Sequence, residues 1–483
     1  MSNENSPQIL NGGMGVAASN WHLARVVSKL GQGGIVSGTA LNVLMARRLQ
    51  DGDPGGYMQH ALLNFPFPEI SRRIVNKYYN PNGRRGKPYK LTPMPQMNNG
   101  REFNELCVAA NFAEVFLAKE GHNGFVGINY LEKIQFPHLP SIYGAMLAGV
   151  DGFFIGAGVA KEVPNVLDAL VNHSPSKYPL NVSGALPNET YSMTFNPEIL
   201  LKEARNVPNV LSRPLFVPIV GLPVMAQYLI KSTGGKNSGR VNKLYVERVC
   251  SGGHNTPPRG QMKLNEKGEP IYGIDDEPKL EKLRDLGVPF WLAGGYGSPE
   301  GLAKAKKEGA LGIAVGTAFA LCTDSGLNPI LRRALVQRAL DGKADVKNDP
   351  FASPAGFPFR VAGLEGTLSE DGVFSSRKKI CDLGFLRTSY RGTDGSVRYR
   401  CPAEPDSEFI TKGGKEEDIF GRKCICNGLV ASAGMPQISE DGTAEPEIFT
   451  LGADYPKVVQ FCKDRNPDYT AERVINMILG KEK

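Results

Sequence analysis

The chain has 483 residues, 41% of them hydrophobic and 22% charged, with a net charge of +7. This is ordinary globular usage, and the length suits a barrel with insertions as one unit. No basic block is long enough for a nucleic-acid tail, and no apolar run approaches the length that spans a bilayer.

The polar stretch Met1 to Gly13 lacks the layout of a signal peptide, and eight cysteines without such a signal predict reduced thiols and a cytoplasmic location.

From the N-terminus to about residue 340, short apolar runs alternate with amphipathic stretches, the pattern of βα units around a parallel sheet. The predicted strands are Gln8–Asn11, Gly34–Ser37, Phe125–Ile128, Gly152–Ile155, Leu215–Val220, Leu244–Cys250, Phe290–Ala293 and Gly312–Val315. Helices are predicted at Trp21–Leu30, Pro140–Ala148, Val163–Val171, Pro223–Lys231, Pro299–Lys307 and Pro329–Leu340, with proline opening four of the last five. Leu180–Val182 is a ninth strand candidate for eight places and reads as an excursion, because no clear helix follows it.

Two segments break the rhythm. Gln50 to about Gly100 is rich in Pro, Gly and Asn and reads as a long lid or partner loop. It carries the densest basic stretch, Arg72, Arg73, Lys77, Arg84, Arg85, Lys87 and Lys90, either a solvated face or a docking patch for an acidic partner. The second break begins near Asp349. The chain therefore divides into a barrel over 1–345 and an extension over 346–483 that packs on it, with or without a small core of its own.

Glycine placement favours a closed (β/α)₈ barrel over an open doubly wound sheet. Gly12-Gly13, Gly38, Gly127, Gly156, Gly252-Gly253, Gly294-Gly295 and Gly316 lie in or at the C-terminal ends of successive strands, which converge on one mouth in a barrel. A dinucleotide fold would gather its glycines in one turn after the first strand. Gly13-Met14-Gly15 with Ala18 matches that turn only loosely, without the acidic ribose ligand about 20 residues on.

At the last two strands, Gly294-Gly295 and Gly316-Thr317 expose backbone N–H groups where this fold seats phosphate. Tight turns alone would account for either pair; two at adjacent strand ends point to a phosphate seat. Of six histidines, His254 alone follows a Gly-Gly strand terminus, which aims an imidazole titrating near neutrality into the mouth. A satisfied structural histidine is the alternative. His22, His60, His122, His138 and His173 read as ordinary helix, loop or turn residues.

The pieces Gly12-Gly13-Met14, Gly127-Ile128-Asn129, Ser251-Gly252-Gly253-His254, Ala293-Gly294-Gly295 and Gly316-Thr317 stand in the order and places of a known set. By them the chain resembles the nitronate monooxygenase (2-nitropropane dioxygenase) family of FMN barrels, which includes flavin-dependent enoyl reductases. The resemblance spans roughly residues 8 to 340. It implies that Gly13 and Met14 lie against the isoalloxazine and that Asn129 hydrogen-bonds the flavin. It further implies that Gly252 and Gly253 let the backbone approach, that Gly294, Gly295, Gly316 and Thr317 hold the phosphate, and that His254 is catalytic. Glu247 falls where relatives often carry Gln or Glu facing the flavin. Ser251 departs mildly from the usual Ala.

Over its whole length the chain is similar to a longer subgroup, the trans-acting enoyl reductase components of polyunsaturated fatty acid and polyketide synthases. The likeness takes in "VGINYLEKIQ", "FWLAGGYGSPE" and the tail "CDLGFLR…YRCPAEP…GRKCICNGL". That tail, which short nitronate enzymes lack, puts simple nitronate oxidation in doubt.

The tail cysteines Cys381, Cys401, Cys424 and Cys426 are spaced C-x₁₉-C-x₂₂-C-x-C. They offer four thiolates to zinc or an iron–sulfur cluster, but without paired C-x₂-C knuckles, so buried thiols are equally in view. Cys107, Cys250, Cys322 and Cys462 stand alone and read as core.

Three functions follow. One is nitronate oxidation with oxygen and no nicotinamide, His254 acting as base or steadying the anion. The second is NAD(P)H-dependent reduction of an enoyl thioester brought by an acyl carrier protein, His254 acting on the developing enolate and the basic insertion greeting the carrier. The third is a non-enzymatic flavin-binding scaffold.

Overall fold

The computed structural model describes residues 6–482; the Met1–Asn5 part of the N-terminal stretch lies outside the described residues. Eight strands form the barrel: β1 Ile9–Asn11, β2 Gly34–Ser37, β3 Val126–Leu131, β4 Gly152–Gly156, β5 Leu215–Val220, β6 Leu244–Glu247, β7 Phe290–Ala293 and β8 Gly312–Val315. All neighbours pair in parallel. The ring closes where β1 meets β2: Gly33 N–H donates to the Ile9 carbonyl (2.9 Å) and Asn11 N–H to the Gly33 carbonyl (3.1 Å). Asn11 is buried in this seam, and its side chain both accepts from Ile35 N–H and donates to the Ile35 carbonyl. A ring without edges leaves no unpaired backbone row.

Inside the ring, Leu10, Ile35, Phe154, Val217, Tyr245, Trp291 and Ala314 form a separate apolar cluster. Phe154 sits 6.4 Å, centroid to centroid, from both Tyr245 and Trp291. Large side chains plug the barrel, so any ligand space must lie above the strand ends.

The sequence reading and the structure differ in several bounds, with β3 running Val126–Leu131 rather than Phe125–Ile128. The ninth strand candidate does lie off the barrel, as read, but only its Leu180 is in a strand: it ends the first arm of an antiparallel hairpin, Ser176–Leu180 with Tyr191–Phe195, between β4 and β5. Strand β6 stops at Glu247 rather than Cys250, because Arg248 N–H makes the last rung, to the Ala293 carbonyl, before the chain turns. The helix after β3 begins at His138, two residues before Pro140, and His60 too is helical, within Tyr57–Leu63. The insertion after β2 is no open loop. It holds helices Tyr57–Leu63 and Pro68–Tyr78, anchored by buried Met58, Phe65, Phe67, Ile70 and Ile74, before an irregular stretch leads to the crossover helix Arg101–Lys119.

The extension packs on the barrel. Apart from the cysteine region it has no core of its own: Phe359, Leu368, Phe385, Ile425, Ile448, Phe449 and Ile475 join the same hydrophobic cluster as the outer barrel. Its antiparallel strands Val346–Asp349 and Phe359–Ala362, and its helices Ile425–Ser432 and Ala471–Ile478, fold back on the mouth and flank of the barrel. Among the described residues no helix is long and apolar enough to cross a membrane.

Candidate functional site

One cavity opens at the C-terminal ends of the strands, enclosing about 1720 Å³ of empty space with its open mouth included. Every barrel residue expected at the site lines it: Gly13, Met14, Asn129, Glu247, Gly252, Gly253, His254, Gly294, Gly295, Gly316 and Thr317. The extension supplies the remaining wall, with Phe359, Phe385, Leu386, Ile425, Phe449 and Leu451 among its apolar contributors. Nothing in the spacing of the sequence announces that roof.

The β6 turn is sewn to the roof. Gly253 N–H donates to Thr450 Oγ1 (2.6 Å), Asn255 N–H to the Pro358 carbonyl, and Ala453 N–H to the Cys250 carbonyl. A Cβ on Gly252 would lie 2.9 Å from the Leu451 carbonyl carbon. Close approach of the extension, not of a ligand, is thus what demands glycine at 252. Gly13 is small for a similar reason, since a Cβ there would lie 2.2 Å from Asn129 Cβ.

His254 Nε2 lies 2.6 Å from Ser353 Oγ, which itself accepts from Ala355 N–H. The ring packs against Phe359 at 4.9 Å. Its residual exposure is to the cavity, and Nδ1 has no protein partner among the described residues. Burial, reinforced by the positive charge of Lys133, holds the imidazole down to about 3, so it is neutral. Lys133, in the turn after β3, was not singled out by the sequence. Its Nζ lies 2.8 Å from the Phe357 ring centroid, and burial lowers it to about 7. Glu247 is pushed up to about 7 by burial, against a smaller opposing pull from Ser251.

The residues expected to hold a phosphate all line this cavity, with one addition. The N–H groups of Gly294, Gly295, Gly316 and Thr317 meet no protein acceptor among the described residues. Gly294 and Gly295 need their positive φ of 92° and 80°, which glycine adopts freely. The Thr317 hydroxyl, however, is committed: it donates to Asp454 Oδ1 (2.7 Å) and accepts from Gly452 N–H (2.9 Å). Asp454, also missed by the sequence, brings a carboxylate to this rim. Arg248, paired with Glu277, and Arg360 supply positive charge nearby.

These residues fit FMN. The unclaimed amides of Gly294, Gly295, Gly316 and Thr317 belong to residues that line one cavity, which is the donor set a phosphate needs. The buried Asn129 Oδ1 has no partner, while its Nδ2 donates to the Gly13 carbonyl at 2.8 Å.

The basic stretch of the insertion is largely neutralised. Arg72 pairs with Glu69, Arg73 with Glu105 and Glu203, Lys77 with Glu102, and Arg84 with Asp51. Arg85, Lys87 and Lys90 form no such pair among the described residues. The tail cysteines Cys381, Cys401, Cys424 and Cys426 line a second small cavity that shares a wall with the first, but the expected metal site is not formed: among the described residues no three His, Cys, Asp or Glu side chains stand so as to hold a metal ion.

The fold and site define a (β/α)₈ barrel with one roofed cavity at its catalytic face. No family model matches the chain. A 151-residue stretch is 27% identical to a (3aS,4S,5R,7aS)-5-hydroxy-7a-methyl-1-oxo-octahydro-1H-indene-4-carboxyl-CoA dehydrogenase of Mycobacterium tuberculosis, covering 30% of this chain and 39% of that relative. Among solved structures, FabK from Thermotoga maritima is similar at 14% identity and a TM-score of 0.48, covering 99% of this chain and 93% of that one. Nitroalkane oxidase from Streptomyces ansochromogenes gives 15% and 0.42, covering 99% and 96%. The enoyl reductase domain of MlnA from Bacillus amyloliquefaciens gives 11% and 0.45, covering 99% and 95%. The fold assignment rests on the strand order described above.

Proposed function

We propose that this chain is an FMN-dependent oxidoreductase whose substrate is an acyl thioester, reduced at a carbon–carbon double bond at the expense of NAD(P)H. The observation that carries the reading is the convergence of free amides, an unpartnered Asn129 oxygen and His254 on one cavity at the barrel mouth.

Gly294, Gly295, Gly316 and the backbone of Thr317 would hold the phosphate of FMN, and Asn129 its ring. Bound there, FMN supplies hydride chemistry. The apolar roof excludes water and accepts the hydrocarbon part of a substrate, which favours an acyl chain over a small nitronate. The matched mycobacterial relative is named for a carboxyl-CoA substrate, itself a thioester.

His254 works as a neutral imidazole. Ser353 fixes Nε2, leaving Nδ1 to meet the substrate, where it steadies or exchanges a proton with an oxygen that becomes negative. Burial keeps that ring in its neutral form, and the positive charge of Lys133 adds to the cost of protonating it. Arg85, Lys87 and Lys90 remain the face for an acidic carrier protein.

The test is anaerobic. The yellow protein is mixed separately with NADPH and with a nitronate, and flavin bleaching is followed; an enoyl thioester is then added to the bleached sample. Bleaching by NADPH and recolouring by the enoyl thioester are expected. Bleaching by nitronate alone overturns the reductase reading, and a protein that takes up no flavin overturns the class.

A further inference from the structure

One segment of the extension, Gly452 to Phe461, crosses the rim that carries the Gly295 and Thr317 amides. Gly452 N–H donates to Thr317 Oγ1 (2.9 Å), and the Thr317 hydroxyl donates to Asp454 Oδ1 (2.7 Å). Ala453 N–H donates to the Cys250 carbonyl (2.8 Å). Further along, Gln460 Nε2 donates to the Gly297 carbonyl (3.2 Å). The segment is thereby tied to the turns after β6, β7 and β8 at once.

From Tyr455 to Phe461 it is a 3₁₀ helix, in which side chains three apart stand one above another. One row, Tyr455, Val458 and Phe461, is buried in the common core. The adjoining row is Asp454, Lys457 and Gln460. Both ends of that row bond to the rim, so Lys457 stands between two anchored neighbours on the face turned toward it. Lys457 is exposed, and its ammonium meets no carboxylate or other acceptor among the described residues.

That side chain lines an open void of about 380 Å³, together with Ser298 and Gln460. Gly295, Gly297, Thr317 and Asp454 line both this void and the mouth cavity, so the two spaces adjoin at the unclaimed amides. The amides alone leave a charge problem. A phosphate brought to Gly295 and Thr317 meets the Asp454 carboxylate, while backbone N–H groups carry only partial charge. Arg248 is already engaged by Glu277. A free ammonium on the same row as Asp454 offsets that carboxylate. It also offers the phosphate a full positive charge, on a flexible stem that needs no fixed fork geometry.

We propose that Lys457 is a phosphate-binding residue: its ammonium, brought by the extension, completes the barrel's amide set and makes the site prefer a flavin with a phosphate to one without. The inference rests on the flavin reading above and adds to it a charged residue from outside the barrel.

Full-length protein freed of bound flavin is titrated with FMN and, separately, with riboflavin, which has the ring but no phosphate. Quenching of flavin fluorescence is followed in wild type, Lys457→Met and Lys457→Arg, with melting curves to check that each is folded. Wild type should bind FMN more tightly than riboflavin. Lys457→Met should weaken FMN about five- to tenfold and leave riboflavin unchanged, and Lys457→Arg should recover most of the loss. The gap between wild type and Lys457→Met should shrink as salt is added. Equal loss for both flavins would reveal a structural role, and no loss for either a merely solvated lysine; each overturns the proposal. Wild type that binds FMN and riboflavin equally well overturns it too, while leaving the flavin reading in place. Folded wild type that takes up neither flavin overturns the function proposed above and this inference with it.

Discussion

His254 of the barrel and Ser353 of the extension meet at 2.6 Å, Nε2 to Oγ, so the imidazole at the mouth is oriented by a residue outside the barrel. The extension therefore touches the imidazole as well as roofing the cavity. In the proposed reaction Ser353 is a positioning residue, acting through the ring it holds.

Ser353→Ala removes that hold without touching the cavity's glycines. We expect kcat to fall about tenfold, the worth of one buried hydrogen bond, with KM changed less than about twofold and FMN affinity unaltered. Ser353→Thr, which keeps the hydroxyl, should recover most of the rate. Steady-state kinetics with the enoyl thioester checks this, and equal kcat in all three proteins would count against positioning.

Lys133 makes a pH-dependent prediction. Its folded value of about 7 lies below its ordinary one, so the folded state resists a proton that the unfolded chain accepts. The resulting destabilisation is complete below about pH 7 and disappears as pH rises toward the ordinary lysine value of about 10.4. Lys133→Met should therefore raise the melting temperature at pH 6 and leave it nearly unchanged above pH 10. It should also move the His254 titration upward, because the charge that opposes imidazole protonation is gone. Melting curves and histidine NMR across pH read both effects; a melting gain independent of pH contradicts the account.

Asp454 places a carboxylate beside the proposed phosphate seat. Asp454→Asn retains an oxygen to accept the Thr317 hydroxyl while removing a negative charge from the rim. FMN should bind about three- to tenfold more tightly, the gain shrinking as salt is added. Quenching of flavin fluorescence during titration measures it, and weaker binding would place the phosphate elsewhere.

Gly252→Ala tests the seam between barrel and roof. The added methyl meets the Leu451 backbone at 2.9 Å, which cannot swing away as a side chain could. Stability should drop by about 1–3 kcal/mol, with protease nicking within the extension. An unchanged denaturation midpoint and unchanged proteolysis would show that the extension does not press on this turn.

Much of the barrel was readable because its strands are short, mostly buried apolar runs, several of them ended by glycine. Gly34–Ser37, Leu215–Val220, Phe290–Ala293 and Gly312–Val315 match residue for residue. Ser176–Leu180 hid because it alternates buried and exposed positions, like a surface hairpin rather than a barrel strand. Arg101–Lys119 hid for the opposite reason: fourteen of its nineteen residues are buried, so it shows no polar stripe. At the site, the glycines and His254 were legible from their place at strand ends. Ser353, Phe449 and Asp454 were not, because they reach the mouth from the extension, and periodicity carries no record of such contacts. Lys133 lay inside a quoted motif, yet only burial beside Phe357 gives it significance.

The central claim is that the roofed mouth of this barrel is a flavin seat. Protein freed of bound flavin is titrated with FMN while flavin fluorescence is followed, in wild type and in Gly295→Val, whose side chain would invade the amide cluster. The account predicts saturation at about one FMN per chain in wild type, and loss of binding in a variant that remains folded. Wild-type protein that stays folded and takes up no FMN, or a variant that binds as well as wild type, would contradict it.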